Sequence, residues 1–295
     1  MKCFHSNGKL LLTGEYLVLD GALALAIPTS FGQTLEVTPS DQNGIVWKSY
    51  DSDGNCWFQS AFDLEDRPGN EIEETLIEIL KEARNLNPEF LSESRGVKVT
   101  TTLDFPRDWG LGTSSTLVNN IAQWAGVDPF KLLWNSFGGS GYDIAAASRD
   151  TPILYSVKNE LPKITPVQVN WPFQEKLHFI HLNKKQDSKE GIAAYRKVKV
   201  DASVQARISK LSMELLSCES LSEFERLMEL HESIISNLLG IPRVKNSLFH
   251  DYPGIVKSLG AWGGDFVLVS GTEEQLHYFE ERGYETCIPF TEMIK

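Results

Sequence analysis

The first hundred residues contain short segments in which β-branched and aromatic residues concentrate or alternate with polar ones, a pattern that predicts strands. Gly14 and Gly21 lie between apolar segments, so the opening of the chain is predicted to be strand, turn and strand. Four more strands are predicted at residues 33–38, 44–49, 56–60 and 97–103. Because these strands follow one another closely, we expect an antiparallel sheet.

A different periodicity predicts three helices in the same half of the chain. In residues 71–84 apolar side chains recur every three or four positions, with acids early and bases late. A second helix opens after residues 110–115 and ends at Gly126. A third begins at Asp128, an N-cap residue followed by Pro129 at the first helical position.

The second half mixes helices and strands in the α+β manner. Prolines beyond Thr151 predict a connection, and we place the domain boundary there, giving domains of residues 1–155 and 156–295. Helices are predicted at residues 203–216, 221–239 and 272–282, and strands at residues 176–182, 266–270 and 285–289.

Composition excludes several classes of protein. Of 295 residues, 28 are Lys or Arg and 40 are Asp or Glu, so the net charge is −12, and without a basic run we expect no nucleic-acid partner. The longest apolar stretch, residues 17–27, is interrupted by Asp20 and is shorter than the roughly 20 residues that cross a bilayer, so we expect no membrane span. Residues 1–8 do not resemble a secretory signal and the four cysteines are scattered, so we expect a cytoplasmic protein.

The sharpest local feature is a cluster of glycines and hydroxyl residues directly before the second helix. We call it the glycine loop, and it consists of Gly110, Leu111, Gly112, Thr113, Ser114 and Ser115. Glycines let backbone amides approach an anion, and the helix start adds unpaired N–H donors. An ordinary turn with a capping hydroxyl fits the same residues. The loop is not a Walker motif, which needs Gly-Lys followed by Ser or Thr. The Gly-Lys dipeptide of this sequence, Gly8-Lys9, lies elsewhere and is followed by Leu10.

Two further clusters share this character. The second glycine turn, residues 138–143, places Asp143 after a tight turn, and Tyr142 at the final glycine position argues against a nucleophile elbow. The third glycine turn, residues 260–265, leads into a buried strand. Taken alone, Asp143 fits a solvated turn acid and the third turn fits a flexible connection.

Together with Lys9 and the opening turn Gly14-Glu15-Tyr16, these clusters resemble the motifs of the GHMP kinase superfamily, in the same order along nearly the whole chain. The resemblance implies a two-domain α+β fold with an N-terminal ATP-binding domain and a ferredoxin-like C-terminal domain. Within the superfamily the chain is most similar to mevalonate and phosphomevalonate kinases. It therefore implies transfer of the γ-phosphoryl group of ATP to mevalonate or phosphomevalonate, with Mg²⁺, in a monomer or homodimer.

The resemblance also implies roles for individual residues. Asp143 would accept or orient the proton of the attacking hydroxyl, and Lys9 would pair with Asp143. Ser114 would ligate Mg²⁺. The residues implied to bind the ATP phosphates are Gly110, Leu111, Gly112, Thr113, Ser114 and Ser115. Those implied to bind the small acidic substrate are Glu15, Tyr16, Ser140, Gly141, Lys185, Gly263 and Gly264.

The chain departs from the family in two places, and a third segment has two possible roles. The helix at residues 129–137 has no carboxylate where mevalonate kinases have a magnesium-binding glutamate. Trp262 replaces a glycine and either narrows the acceptor pocket or packs in the core. Residues 184–188, which include Lys185, either bind substrate or form a solvated basic loop.

Other functions are compatible with these motifs. The residues Thr113-Ser114-Ser115 resemble those of heptose and fucose kinases, which makes a sugar kinase the alternative within the superfamily. A non-catalytic, pseudokinase-like nucleotide-binding module is the alternative from another class. The six histidines show no metal-ligand spacing, and each is expected at the surface or satisfied in the core.

Overall fold

The computed structural model describes residues 1–92, 96–185 and 188–295 and has a mixed α+β architecture. Its contacts divide the chain into two compact units, each built from several stretches of sequence. The first unit contains residues 1–8, 31–107 and 111–148, and the second contains residues 9–30, 108–110 and 149–295. One of the divisions therefore falls within the glycine loop. The domain boundary expected near residue 155 stays a prediction, because compact packing does not by itself establish independent folding.

The first unit contains a sheet in which one neighbouring pair is parallel. Its strands come from β1 (Lys2–Thr13), β2 (Ala24–Pro39), β3 (Ile45–Tyr50), β4 (Cys56–Phe62) and β5 (Val97–Leu103). β5 pairs antiparallel with β2 and parallel with β3, and β3 pairs antiparallel with β4. The expectation of a purely antiparallel sheet is wrong at β3 and β5, because β4 and a helix lie between them in the chain and provide the crossover that a parallel pair requires.

Four helices pack in the first unit: α1 (Glu71–Leu86), α2 (Thr113–Ala125), α3 (Pro129–Ser136) and α4 (Tyr142–Ala147). The apolar face of α1, including Leu76 and Leu80, is buried in one core with Trp47 of β3 and Ile121 of α2. The Asn70 side chain caps α1 by accepting hydrogen bonds from the N–H groups of residues 72 and 73. Burial of this apolar face and capping of the first turn explain why α1 forms where its periodicity predicts a helix.

The caps predicted for α2 and α3 are confirmed. Gly126 ends α2 in a left-handed conformation with φ 67°. Asp128 accepts hydrogen bonds from the N–H groups of Phe130 and Lys131, and Pro129 fills the first position of α3. These two caps bring the chain back from α2 into α3, which contacts both α1 and α2.

The second unit contains a four-stranded antiparallel sheet. Its strands are β8 (Leu177–His181), β9 (Val256–Ser258), β10 (Phe266–Ser270) and β11 (Cys287–Pro289), in the spatial order β11, β8, β10, β9. With helices after β8 and β10, this is the order of a ferredoxin-like split βαβ fold. The fold class expected for the C-terminal part is therefore confirmed.

Among the described residues of this unit, six helices accompany the sheet: α5 (Ser188–Tyr195), α6 (Ala202–Leu216), α7 (Leu221–Leu239), α8 (Val244–Leu248), α9 (Glu273–Glu280) and α10 (Phe290–Met293). The prediction for α7 matches its bounds, and those for α6 and α9 lie within two residues of theirs. Helices α5, α8 and α10, of eight, five and four residues, were not predicted from the sequence.

The connection predicted beyond Thr151 is wrong. It is a hairpin of β6 (Ile153–Lys158) and β7 (Leu161–Pro166), with Asn159 and Glu160 both at positive φ in the turn. The prolines do not prevent this pairing, since Pro162 and Pro166 lie on the outer strand β7, where a missing N–H donor is tolerated. Within the described residues, no helix combines the length and apolar character needed to cross a membrane.

Candidate functional site

The glycine loop leads into α2 through a left-handed Gly112, with φ 96°. The Gly112 carbonyl accepts hydrogen bonds from the Thr116 N–H at 2.9 Å and from the Ser115 hydroxyl at 2.9 Å. Ser115 is buried and Thr113 is half-buried, whereas Ser114 is exposed. Among the described residues none hydrogen-bonds to the Ser114 hydroxyl, so this oxygen is available to a ligand at the amino end of a thirteen-residue helix.

The start of the glycine loop is held within the second unit. Lys9 Nζ donates a hydrogen bond of 2.8 Å to the carbonyl of Gly110, which has φ 67°. A Cβ atom at position 110 would lie 2.3 Å from Cγ of Asp265, so a larger residue would require this carboxylate to move. The structure thus brings Lys9, Gly110 and Asp265 together, while the expected pairing of Lys9 with Asp143 stays a prediction. Leu111 is fully buried and anchors the next position.

Asp143 lies in the first turn of α4, which contacts α2 within the first unit. The helix begins after Gly141 at φ 82°, and Asp143 Oδ1 accepts a 3.0 Å hydrogen bond from the Ile144 N–H. Asp143 is half-buried. Ser140 is buried, and its Oγ accepts a long 3.5 Å hydrogen bond from the Tyr142 N–H.

The third glycine turn is built from an unusual run of backbone conformations. Trp262 and Asp265 join Gly260 and Gly263 at positive φ, between 52° and 89°. The backbone of Asp265 is fixed at both ends, because its N–H donates to the Lys184 carbonyl at 2.6 Å and its carbonyl accepts from Leu182 at 2.8 Å. Asp265 thereby leaves the turn in a fixed orientation at the start of β10.

The Trp262 side chain packs in the core, with only 3% of its surface exposed. Its indole Nε1 has no hydrogen-bond partner among the described residues. Gly263 and Lys185 are exposed and Gly264 is buried. Gln186 and Asp187, from the basic segment expected to bind substrate, lie outside the described residues. Substrate binding by Lys185, Gly263 and Gly264 stays a prediction.

The opening turn is tied to the third glycine turn through Tyr16. The Tyr16 hydroxyl donates a 2.8 Å hydrogen bond to the Ala261 carbonyl, and its ring stacks on Tyr195 with centroids 5.6 Å apart. Tyr16 is itself at positive φ, 64°. Burial, with the charge of Glu15 as a smaller cause, raises the pKa of Tyr16 to about 12, so its hydroxyl remains a donor at neutral pH.

Glu15 is buried and faces an ammonium group that the sequence analysis missed. Lys257 Nζ donates a hydrogen bond to Glu15 Oε1, and His231 Nε2 lies 3.3 Å from Glu15 Oε2. Glu232 belongs to the same cluster, with Oε1 3.4 Å from Lys257 Nζ. One sequence feature could have revealed it: Lys257 interrupts an apolar segment directly before the third glycine turn, and a buried lysine needs a carboxylate partner.

The donor set around the glycine loop is suited to nucleotide phosphate and Mg²⁺ rather than to a metal held by protein alone. Across the part of the chain that the structure describes, no three His, Cys, Asp or Glu side chains form a metal-binding group. Mg²⁺ commonly takes one or two protein oxygens and completes its shell with phosphates and water. The exposed Ser114 hydroxyl fits that requirement.

Comparisons with known proteins agree with this architecture. No protein-family model matches the chain, and no curated protein matches its sequence. A solved structure of mevalonate kinase matches with a TM-score of 0.72 and 17% identity, covering 100% of both chains. Streptococcus pneumoniae phosphomevalonate kinase in complex with phosphomevalonate and AMPPNP matches with a TM-score of 0.73 and 17% identity over 96% of both chains.

A sugar-phosphate kinase also shares the fold. The D-glycero-D-manno-heptose 1-phosphate kinase of Bacteroides thetaiotaomicron matches with a TM-score of 0.64 and 15% identity, covering 97% of this chain and 94% of that one. All three neighbours are kinases that share this architecture over 96% or more of the chain, so the fold that the motifs imply is confirmed.

Proposed function

We propose that this protein is an ATP-dependent kinase of the GHMP type that phosphorylates a small acidic acceptor, with mevalonate or phosphomevalonate as the first candidates. The observation that carries the proposal is the glycine loop with its exposed Ser114 hydroxyl at the start of α2, in a chain that matches phosphomevalonate kinase over 96% of its length. The AMPPNP in that neighbour supports ATP as the phosphoryl donor.

The glycine loop would bind the nucleotide phosphates. Its backbone N–H groups at the start of α2, together with the hydroxyls of Thr113 and Ser114, donate to phosphate oxygens. Ser115 acts indirectly, because its hydroxyl is turned onto the Gly112 carbonyl and keeps the loop in shape. Leu111 contributes through its backbone, since its side chain is buried.

The reaction itself requires in-line placement and control of charge. The acceptor hydroxyl oxygen forms a bond to the γ-phosphorus while the bond from that phosphorus to the β,γ-bridging oxygen breaks, and ADP leaves. We propose that Asp143 orients the hydroxyl and receives its proton, and that Lys9 stabilises charge on the transferring group. Lys9 is already anchored to the glycine loop through Gly110, which limits where its ammonium can lie.

Mg²⁺ would be held by Ser114, by the phosphates of ATP and by water. The ion supplies neutralisation of the phosphate charge. The described residues of α3 include no acid, so the chain dispenses with the glutamate found on the corresponding helix of mevalonate kinases. We therefore expect weak Mg²⁺ binding without nucleotide and strong binding with it.

The acceptor would be bound by six of the residues that the family resemblance assigns: Tyr16, Ser140, Gly141, Lys185, Gly263 and Gly264. The seventh, Glu15, is buried and bonded to Lys257, so we do not propose that it contacts the acceptor. An acidic acceptor must approach a protein with a net charge of −12, so local positive charge is needed. Lys9, Mg²⁺ and the amino ends of α2 and α4 provide it. We also propose a cytoplasmic location and a monomeric or homodimeric state.

A sugar or sugar-phosphate acceptor is the second candidate. It is favoured by Thr113-Ser114-Ser115 in the glycine loop and by the likeness to the heptose 1-phosphate kinase. A nucleotide-binding module without catalysis is the third, since the missing helix acid would suit a protein that binds ATP and does not transfer phosphate.

One assay separates these candidates. Purified protein with Mg-ATP is given mevalonate, phosphomevalonate, heptose phosphates or fucose, and ADP release is measured together with the thermal shift produced by Mg-ATP alone. ADP release with either mevalonate compound supports the proposal, and release only with a sugar supports the second candidate. A thermal shift with no turnover supports the binding module. The absence of both ADP release and a thermal shift would refute nucleotide use.

Two variants test the assigned roles within the same assay. We expect Asp143→Asn and Lys9→Met to lose about a hundredfold or more in kcat while keeping the thermal shift from Mg-ATP within a few degrees. The exposed acid Asp53, changed to Asn, is the matched control and should leave kcat unaltered. Full turnover by Asp143→Asn would show that the acid is not required.

A further inference from the structure

Four ionisable side chains lie together in the core of the second unit. They are Glu15, His231, Glu232 and Lys257, and none has more than 2% of its surface exposed. They come from three parts of the fold: the opening turn after β1, helix α7 and strand β9. We call them the buried cluster.

One ammonium group serves two carboxylates in this cluster. Lys257 Nζ donates hydrogen bonds to Glu15 Oε1 and to the Ser258 carbonyl, and it lies 3.4 Å from Glu232 Oε1. The Ser258 hydroxyl donates to the other Glu232 oxygen at 3.3 Å. With one cation and two ionised acids, the cluster would carry a net charge of −1 in a site without solvent, which is costly.

His231 does not supply the missing positive charge. The Gly14 N–H donates to His231 Nε2 at 3.0 Å, so this nitrogen offers its lone pair and the ring is neutral with its proton on Nδ1. Burial and the charge of Lys257 lower the pKa of His231 well below its usual range. Neutralisation therefore requires a proton on one of the carboxyl groups.

Glu15 has a place for that proton. Its Oε2 accepts no hydrogen bond from the described residues, whereas its Oε1 accepts from Lys257, so Oε2 can carry the proton without breaking that bond. Burial raises the pKa of Glu15 to about 7, and burial also raises the pKa of Glu232. The neighbouring Tyr16 is a neutral phenol at pH 7, because its pKa is raised to about 12.

The cluster is joined directly to two turns of the proposed site. His231 holds the N–H of Gly14, and Lys257 holds Glu15, so both bond to the opening turn. Strand β9, which carries Lys257, leads into the third glycine turn, where the Ala261 carbonyl accepts from Tyr16 and Asp265 lies against Gly110.

We propose that Glu15, His231, Glu232 and Lys257 form a proton-holding cluster that fixes the opening turn against the third glycine turn, and that all four are positioning residues for these two turns. The proposal rests on the proposed function only for what these turns then bind. It gives Glu15 a role behind the site, in place of the substrate contact that the family resemblance implies.

Titration of the glutamate carboxyl carbons by ¹³C NMR tests the proton. We expect one resonance to titrate near pH 7, far above the ordinary value of 4.5, and to be absent in Glu15→Gln. In Glu232→Gln the resonance should shift toward 4.5, because Lys257 then faces a single acid. Glu223→Gln, an exposed acid on the same helix, is the control and should leave it in place. A wild-type protein whose glutamates all titrate near 4.5 would overturn the proposal.

Hydrogen exchange tests the positioning. After correction for the intrinsic rate, we expect exchange in residues 256–265 to change across pH 7 in the wild type and to be independent of pH in Glu15→Gln. Lys257→Met should raise exchange there by about tenfold or more, the effect of losing a hydrogen bond to a charged group, while residues 97–103 of β5 stay protected.

If Lys257→Met does not fold, Glu15→Gln and Glu232→Gln still decide the outcome. Unchanged exchange in residues 256–265 of Glu15→Gln at every pH would refute the positioning role. Neither measurement uses substrate, so failure of the kinase assay and failure of this inference are distinguishable.

Discussion

The carboxylate of Asp265 lies directly against the Cα atom of Gly110, close enough that a Cβ atom at position 110 would be 2.5 Å and 2.7 Å from its two oxygens. Real Cβ atoms do not approach other atoms so closely, so a side chain at position 110 would force the Asp265 carboxylate to move. The backbone of Asp265 is fixed by hydrogen bonds on both sides, and Gly110 is held by Lys9. The absence of a side chain at position 110 is therefore a condition for this packing.

Gly110→Ala should disturb the glycine loop more than an equivalent change elsewhere. We expect a loss of about 1–3 kcal/mol in the free energy of unfolding from overpacking, measured by urea denaturation, and a smaller thermal shift from Mg-ATP. Gly54→Ala is the matched control, because Gly54 has φ 81° with open space around it and isolates the backbone cost. Removing the obstructing carboxylate in Gly110→Ala/Asp265→Ala should recover part of the loss. Equal losses at positions 54 and 110 would contradict the steric argument.

Adjacent serines of the loop should respond differently to the same substitution. Ser114→Ala is expected to weaken Mg-ATP binding by about tenfold with little change in stability, because its exposed hydroxyl bonds to no described residue. Ser115→Ala is expected to lose about 1 kcal/mol of stability, because its hydroxyl donates to the Gly112 carbonyl. Calorimetric titration and urea denaturation measure the two quantities. The reverse pattern would exchange the roles assigned to these residues.

Removing the Tyr16 hydroxyl should loosen the connection between two turns. Tyr16→Phe loses the hydrogen bond to the Ala261 carbonyl while keeping the stack on Tyr195, so we expect a loss of about 1 kcal/mol in unfolding free energy. If the turns form the acceptor site, KM for the acceptor should rise. The control is Tyr50→Phe, a half-buried residue at the end of β3, which should leave the unfolding free energy and KM unaltered. An unchanged KM together with lost stability would limit Tyr16 to a structural role.

Stability should depend on pH through Glu15, with a defined sign. Its carboxyl binds a proton more tightly when folded, with pKa raised from 4.5 to about 7, so the protonated group stabilises the fold below pH 4.5. That contribution is lost as pH rises from 4.5 to 7, and its full size is on the order of 3 kcal/mol.

Comparison with Glu15→Gln isolates this effect from the other acids. Relative to the wild type, the variant should gain stability as the pH rises from 5 to 8, measured by calorimetry at each pH. Glu223→Gln should show no such gain. A difference between wild type and Glu15→Gln that is constant over this range would argue against a buried, titrating Glu15.

Local patterns predicted many of the regular elements. Strand β5 and helix α7 form at the predicted residues because alternation, helical periodicity and a Ser220 cap agree over the whole segment. The hairpin of β6 and β7 was missed since its prolines suggest a connection, although they are tolerated on an outer strand. β2 was predicted in pieces because Pro28 and Gly32 interrupt the pattern of a strand that the structure shows to be continuous.

In the candidate site, too, local features could be predicted and contacts between distant residues could not. Gly112 before a helix, and Asp143 in the first turn of another, are local features that a sequence displays directly. The partner of Glu15 is not local, because Lys257 is 242 residues further along the chain and only the folded sheet brings them together. Asp265 and Gly110 are also far apart in sequence, so neither contact could be predicted from spacing.

That separation affects how the protein is made. During synthesis Glu15 leaves the ribosome 242 residues ahead of Lys257. Until then Glu15 has no cation to pair with, and a carboxylate without a partner remains in water. The opening turn therefore reaches its final buried environment late, after α7 and β9 have formed. The nascent chain must keep this segment soluble while the 242 residues up to Lys257 are added.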